Sequence, residues 1–125
     1  MIENMAERLA RGIDFLNREY FFEAHDEIED LWMDARKQVH RDLFHGLVNM
    51  ATGFYHYRMN NFKGMRSQLT KGIEKLSTLP PICLGCNVGK LARETRPFLQ
   101  AVEQDAKEFP EPLPIIEFHS EETLA

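Results

Sequence analysis

Residues 21–32, FFEAHDEIEDLW, decide the fold class, because their apolar residues recur at the spacing of an amphipathic α-helix. The apolar stripe, which continues past this stretch, consists of Phe21, Ala24, Ile28, Leu31, Trp32 and Ala35. His25 and Glu29 lie beside the stripe and are four residues apart, so their side chains can touch. On a helical wheel both fall between apolar neighbours. We therefore predict that they point toward another helix rather than toward water.

Helical periodicity extends over most of the chain, and strand signals are nearly absent. Five helices are predicted. The first ends near Asn17, the second covers about 20–36 and the third about 41–59. The fourth follows Asn60-Asn61, and the fifth covers about 88–108. Pro97 lies inside the last helix and predicts a kink or a break near Arg96. The pattern predicts an all-α, compact bundle of five or six helices built from helical hairpins. It divides the chain into a single helical domain over 1–108 and an extended, Pro-rich C-terminal tail over 109–125.

The composition is that of an ordinary soluble globular protein: 125 residues, 43% hydrophobic and 28% charged. A formal net charge of -5 argues against a nucleic-acid partner. The longest uncharged stretch, residues 43–57, is too short for a membrane span, which needs about 20 residues. With no apolar leader segment, we expect a cytoplasmic protein in which Cys83 and Cys86 are thiols. Met33, Phe62 and the apolar residues of 115–118 are consistent with a homodimer.

A second polar stripe lies on the third predicted helix, which has no charged residue from 43 to 57. The stripe consists of His45, Asn49, Thr52 and His56, spaced four, three and four residues apart. Buried polar groups need partners, so we predict that this stripe faces His25 and Glu29 across the bundle, with Trp32 beside them. The predicted pocket therefore comprises His25, Glu29, Trp32, His45, Asn49, Thr52 and His56.

Two motifs resemble a known family. The pattern His25-x-x-x-Glu29-x-x-Trp32, preceded by FFEA, resembles the signature of the family called domain of unknown function 309. Residues 44–51, FHGLVNMA, resemble its Gly-Leu-Ile-Gln-x-Ala segment, with Asn49 in place of the usual Gln. The resemblance spans about residues 12–100. It implies an all-helical array and supplies no reaction.

Two functions remain open at this point. The first is a helical binding or interaction module with a small-molecule ligand of unknown identity. The second is a metal-dependent enzyme in which His25, Glu29 and His56 hold a divalent metal, because two histidines and one carboxylate suit Zn, Fe or Mn. The His–Glu pair also suits general acid–base chemistry, although no serine or threonine has a recognisable nucleophile motif. The single Cys83-x-x-Cys86 pair indicates a loop rather than a zinc or redox site.

The same wheel predicts the placement of several surface residues. Tyr55 is expected to face the core and Tyr57 the surface. The basic residues Arg58, Lys63, Arg66 and Lys71 are expected to form a solvated helix face, and binding of an acidic ligand is the alternative.

Overall fold

The computed structural model describes residues 3–119, and its regular structure is almost entirely helical. Five helices follow one another: α1 (Met5–Asn17), α2 (Phe21–Asp34), α3 (Gln38–Arg58), α4 (Phe62–Leu76) and α5 (Val88–Glu103). Each packs against the next, and α3 and α4 share the largest interface. The predicted all-α bundle built from helical hairpins is therefore confirmed. Within residues 3–119 no helix combines the length and the apolar character needed to span a bilayer.

The apolar stripes of the sequence form the core, because one side of each amphipathic helix must leave water. In α4 the stripe consists of Met65, Leu69, Ile73 and Leu76, all buried. The helix α3 is buried on more of its circumference, with ten buried residues between Leu43 and Phe54. It therefore forms the centre of the bundle, and α2 and α4 flank it.

Two glycines allow α3 and α4 to approach closely. A Cβ atom on Gly53 would lie 2.6 Å from Leu69 Cδ2, and one on Gly72 would lie 2.9 Å from Met50 Cε. Both distances are shorter than a carbon–carbon contact of about 3.5–4.0 Å. The short interhelical distance brings polar side chains of α3 within reach of α4.

The helix α5 begins at Val88 as predicted but differs at its other end. It closes at Glu103, five residues before the expected Glu108, and it continues through Pro97 without a break. The prediction of a split near Arg96 was therefore wrong. Pro97 is exposed, so water can bond the carbonyl group that its missing N–H leaves without a donor.

A short β-hairpin precedes α5, where the sequence predicted an irregular loop. Strands β1 (Ile82–Cys83) and β2 (Cys86–Asn87) are antiparallel, and Cys83 pairs with Cys86 in the register. The two turn residues, Leu84 and Gly85, have φ values of 48° and 82°. Positive φ at both positions is typical of the tight turns that match the twist of a two-residue hairpin.

The tail crosses the bundle in an extended conformation, and residues 120–125 of the predicted 109–125 segment lie outside the described residues. The backbone of Ile116 is held by Asn17, whose Oδ1 accepts from the N–H at 2.8 Å and whose Nδ2 donates to the carbonyl at 3.0 Å. Ile116 is 3% exposed, whereas the neighbouring Ile115 is 56% exposed. Residues 112–115 cover a cavity of about 120 Å³, the tail cavity, which α1, α2 and α3 also line.

The two tyrosines near the end of α3 are placed opposite to the prediction. Tyr55 is 39% exposed, whereas Tyr57 packs against the core and donates a hydrogen bond to Glu111 of the tail at 2.5 Å. Burial and this bond raise the pKa of Tyr57 to about 12. The hydrogen bond from Tyr57 and one from Arg58 hold the pKa of Glu111 below its usual range. Arg58 also pairs with Glu19 at 2.6 Å, so it anchors the tail rather than joining a basic face.

Candidate functional site

The helices α2 and α3 meet at the stacked rings of Trp32 and His45, whose centroids are 4.5 Å apart with 28° between their planes. Arg41 Cζ lies 5.3 Å from the centroid of Trp32. Its Nη1 donates to the carbonyls of Trp32 and Ala35 at 3.2 and 3.1 Å. Carbonyls at a helix C-terminus have no intrahelical partner, so Arg41 joins the end of α2 to the start of α3 and holds the indole in place.

The imidazole of His45 lies in a positive environment. Burial lowers its pKa, and the nearby charges of Lys75, Arg41 and Lys71 lower it further, while Asp42 acts in the opposite direction. Desolvation and positive neighbours both disfavour the protonated ring. His45 is therefore neutral near pH 7, and it stacks on Trp32 as an uncharged ring.

His25 and Glu29 make the predicted contact along one face of α2. His25 Nε2 lies 3.4 Å from Glu29 Oε2, and His25 Nδ1 lies 3.5 Å from Asp26 Oδ1. The side chains of His25 and Glu29 are 36% and 40% exposed. Both side chains are therefore partly open to solvent, although the wheel predicted that they point toward another helix. Neighbouring apolar residues on a wheel do not by themselves cover a side chain.

Asn49 faces α4 rather than α2. It is 5% exposed, and its Nδ2 donates to Gln68 Oε1 at 3.0 Å. Its Oδ1 is buried and accepts no hydrogen bond from the described residues. A Cβ atom on Gly72 would lie 3.2 Å from Asn49 Cβ, so the glycine makes room for the amide. The close approach of α3 and α4 thus gives the polar stripe a partner that the sequence did not predict.

His56 lies in the last turn of α3 and contacts the residue that caps α4. Its Nδ1 lies 3.2 Å from Asn61 Nδ2, while Asn61 Oδ1 accepts from the N–H of Gly64 at 3.1 Å. Because the amide oxygen is used as a helix cap, the amide NH2 group faces the imidazole, and His56 Nδ1 is the acceptor. A Cβ atom on Gly64 would lie 2.8 Å from the imidazole ring, which therefore packs directly on the α4 backbone.

The three residues predicted to hold a metal ion do not form one ligand set. His25 and Glu29 are adjacent on α2, whereas His56 is bonded to Asn61 at the start of α4. Within residues 3–119 no group of three or more His, Cys, Asp or Glu side chains is placed to hold an ion. The use of His25, Glu29 and His56 as metal ligands therefore stays a prediction, and in this structure His56 contacts Asn61.

The predicted polar residues lie on α3 and on the parts of α2 and α4 that pack beside it, and we call this region the α3 groove. Its floor is the stripe of His45, Asn49, Thr52 and His56; its α2 side carries Trp32, Glu29 and His25; its α4 side carries Gln68, Lys71 and Lys75. Three residues join α2 to α3, and the two helices pack together, so they run in opposite directions. Residues preceding Trp32 therefore run beside residues following His45. Thr52 is partly buried on this floor.

Comparison with known protein families identifies the part of the chain that builds this groove. The profile of the family described as Domain of unknown function (DUF309) matches residues 9–68. This match supports the resemblance to that family drawn from the sequence motifs. No curated protein matches the chain. The DUF309 match includes α2, α3 and every residue of the predicted pocket, and it ends earlier than the expected residue 100.

Sequence analysis gave no role to Arg41, Gln68 and Lys75, and it placed Lys71 on a solvated helix face. A helical wheel of α4 contains the signal, because positions 68, 71 and 75 are three and four residues apart and fall on one face. Lys71 and Lys75 lie beyond the DUF309 match. The groove therefore combines residues inside the family region with residues outside it.

The two cysteines lie in the β-hairpin, away from the α3 groove and outside the DUF309 match. Both are buried. The backbone N–H of His119 donates to the carbonyl of Gly85 at 2.9 Å. The hairpin is thus a structural support for the tail.

Proposed function

We propose that this protein is a helical binding module whose ligand occupies the α3 groove. One observation carries the proposal: three residues of the polar stripe, His45, Thr52 and His56, stay partly exposed, and the stacked Trp32 and His45 rings lie at one end of the stripe. Polar stripes on a central helix are normally covered by a neighbouring helix. Here α2 and α4 lie along its two sides.

The chemistry of the groove suits binding. Imidazoles, a hydroxyl and a carboxamide supply directional donors and acceptors, and an uncharged floor avoids the large cost of desolvating a charge. Trp32 adds an apolar ring, and ligand sites commonly combine apolar surface with a few convergent polar groups. The half-exposed Glu29 and His25 extend the polar lining along α2.

The alternative of a metal-dependent enzyme rests on the contact between His25 and Glu29 alone. Two ligands from one helix give weak binding unless a third joins them. Elemental analysis of untagged protein, followed by zinc titration of the wild type and the Glu29→Gln variant, separates the two functions. Stoichiometric metal that depends on Glu29 would favour the enzyme over the binding module.

Protein-observed NMR tests the binding module directly. The full chain, labelled with ¹⁵N, is screened against small rigid polar fragments. We expect the shifted amides to cluster at residues 45–56 and 25–32, and to shift less in a Thr52→Val variant, which keeps the side-chain shape and loses the hydroxyl. Shifts that cluster at the tail cavity, or that show no cluster, would contradict the proposal.

A further inference from the structure

The Trp32 end of the α3 groove carries a concentration of positive charge. Lys75 lies against α3 beside the stack, since a Cβ atom on Gly46 would be 3.5 Å from Lys75 Cβ. Lys71 is one turn away on the same face of α4. Arg41 stands over the indole, and both bonds that it makes to α2 carbonyls use Nη1. Three cations therefore converge on one ring pair.

The charges of Lys71 and Lys75 are not neutralised. In the described part of the chain neither forms an ion pair, although five other Lys or Arg side chains do: Arg8, Arg11, Arg18, Arg58 and Lys90. The nearby Asp42 accepts a hydrogen bond from Gln38 at 2.8 Å and makes no ion pair with these lysines.

We propose that this end of the groove binds an oxyanion of the phosphate or sulfate type, held by Lys71, Lys75 and Arg41 beside His45. The inference rests on the proposed function and names its ligand class. Charge-assisted hydrogen bonds from several cations are the usual means of holding such a group. A net charge of -5 disfavours extended polyanions such as nucleic acid or an anionic membrane, so the oxyanion belongs to a small molecule.

Trp32 makes the test direct, because it is the only tryptophan and lies in the site. Inorganic phosphate and sulfate are titrated at constant ionic strength, with chloride as the balancing ion, and tryptophan emission is recorded. We expect a saturable change with the wild type. A Lys71→Gln/Lys75→Gln double variant should bind about tenfold more weakly or worse.

The matched control is Lys63→Gln/Arg66→Gln, which removes the same charge from exposed positions of the same helix. This control variant should bind phosphate and sulfate with the same affinity as the wild type. Equal loss in both double variants, or no saturable response in the wild type, would overturn the proposal. The vesicle arm uses phosphatidylglycerol and, as its control, phosphatidylcholine. A response to phosphatidylglycerol vesicles alone, without a response to free phosphate, would contradict the inference that the oxyanion belongs to a small molecule.

The experiments distinguish failure of the oxyanion proposal from failure of the proposed binding module. Fragments that shift the amides of residues 45–56, with no response to phosphate or sulfate, would leave the groove as a ligand site and reject the oxyanion. Fragments that bind elsewhere would reject both.

Discussion

The contact between Trp32 and His45 should contribute measurable coupling energy, since it closes the groove and joins α2 to α3. The perturbation is a double-mutant cycle with Trp32→Leu, His45→Leu and the variant that carries both. A cycle isolates the pair from the separate losses that each substitution causes. It therefore measures the stack rather than the total burial of either ring.

The magnitude follows from the geometry. Rings whose centroids are 4.5 Å apart at 28° are in the stacked range, where aromatic pairs contribute about 0.5–1.5 kcal/mol beyond their buried area. Both rings are only partly buried, so we expect coupling of about 0.5–1 kcal/mol. Trp32→Leu alone should cost more, about 2–3 kcal/mol, because it also loses buried apolar area and the cation–π contact of Arg41.

The assay is urea unfolding at about pH 8, where His45 is neutral. Far-UV circular dichroism is the signal, since Trp32→Leu removes the only tryptophan. The control cycle uses Tyr55 and His56, whose ring centroids are 5.8 Å apart at 59° on the exposed end of α3. Its coupling should be smaller than that of the stacked pair, because the rings are farther apart. Coupling for the stacked pair below about 0.3 kcal/mol, or no larger than the control, would refute this reasoning.

Three further predictions concern stability, each measured by urea unfolding. Ile116→Ala should cost about 2–4 kcal/mol, whereas Ile115→Ala should cost less than about 1 kcal/mol, because only the first is buried; equal losses would mean that the tail is not docked. Hydrogen bonds from the Tyr57 hydroxyl and the Arg58 guanidinium lower the pKa of Glu111 in the folded state. Glu111 therefore stabilises the fold at pH values above its unfolded pKa, and this stabilisation is lost as the pH falls through its folded pKa. In the Glu111→Gln variant the free energy of unfolding should depend less on pH in that acid range. An unchanged pH dependence would show that Glu111 does not contribute to it. Gly53→Ala should cost about 1 kcal/mol, since overpacking against Leu69 outweighs the gain in helix propensity; a more stable variant would show that α4 can move.

The sequence predicted the helices well because each carries a strong apolar period. In α4 the apolar period places Met65, Leu69, Ile73 and Leu76 in the core, and α3 with its uncharged run is the most extensively buried helix. The predicted break at Pro97 is absent because Pro97 is exposed, and water can replace the backbone hydrogen bond that the proline lacks. The β-hairpin was missed because Leu84 is not the residue that a turn with positive φ usually selects.

The contacts of the predicted pocket residues could not be predicted from a helical wheel. A wheel places His45, Asn49 and His56 on one stripe, and it does not give the rotation of α3 against its neighbours. That rotation depends on the close approach at Gly53, a long-range packing feature. The prediction for Tyr57 was wrong for a similar reason. Its partner Glu111 lies in the extended tail, whose sequence has no periodicity from which its position could be predicted.

The contrast between net and local charge decides what kind of ligand the groove favours. The chain as a whole is negative, and this field repels an approaching anion over tens of ångströms only when salt is low, because the screening length is about 8–10 Å near physiological ionic strength. Inside that length an anion near His45 is closest to Lys71, Lys75 and Arg41, with Asp42 acting in the opposite direction. A large polyanion would also lie against the negative remainder of the surface, whereas a small oxyanion would not. We therefore expect the protein to bind a phosphate-sized group in preference to nucleic acid, and both expectations have the same electrostatic cause.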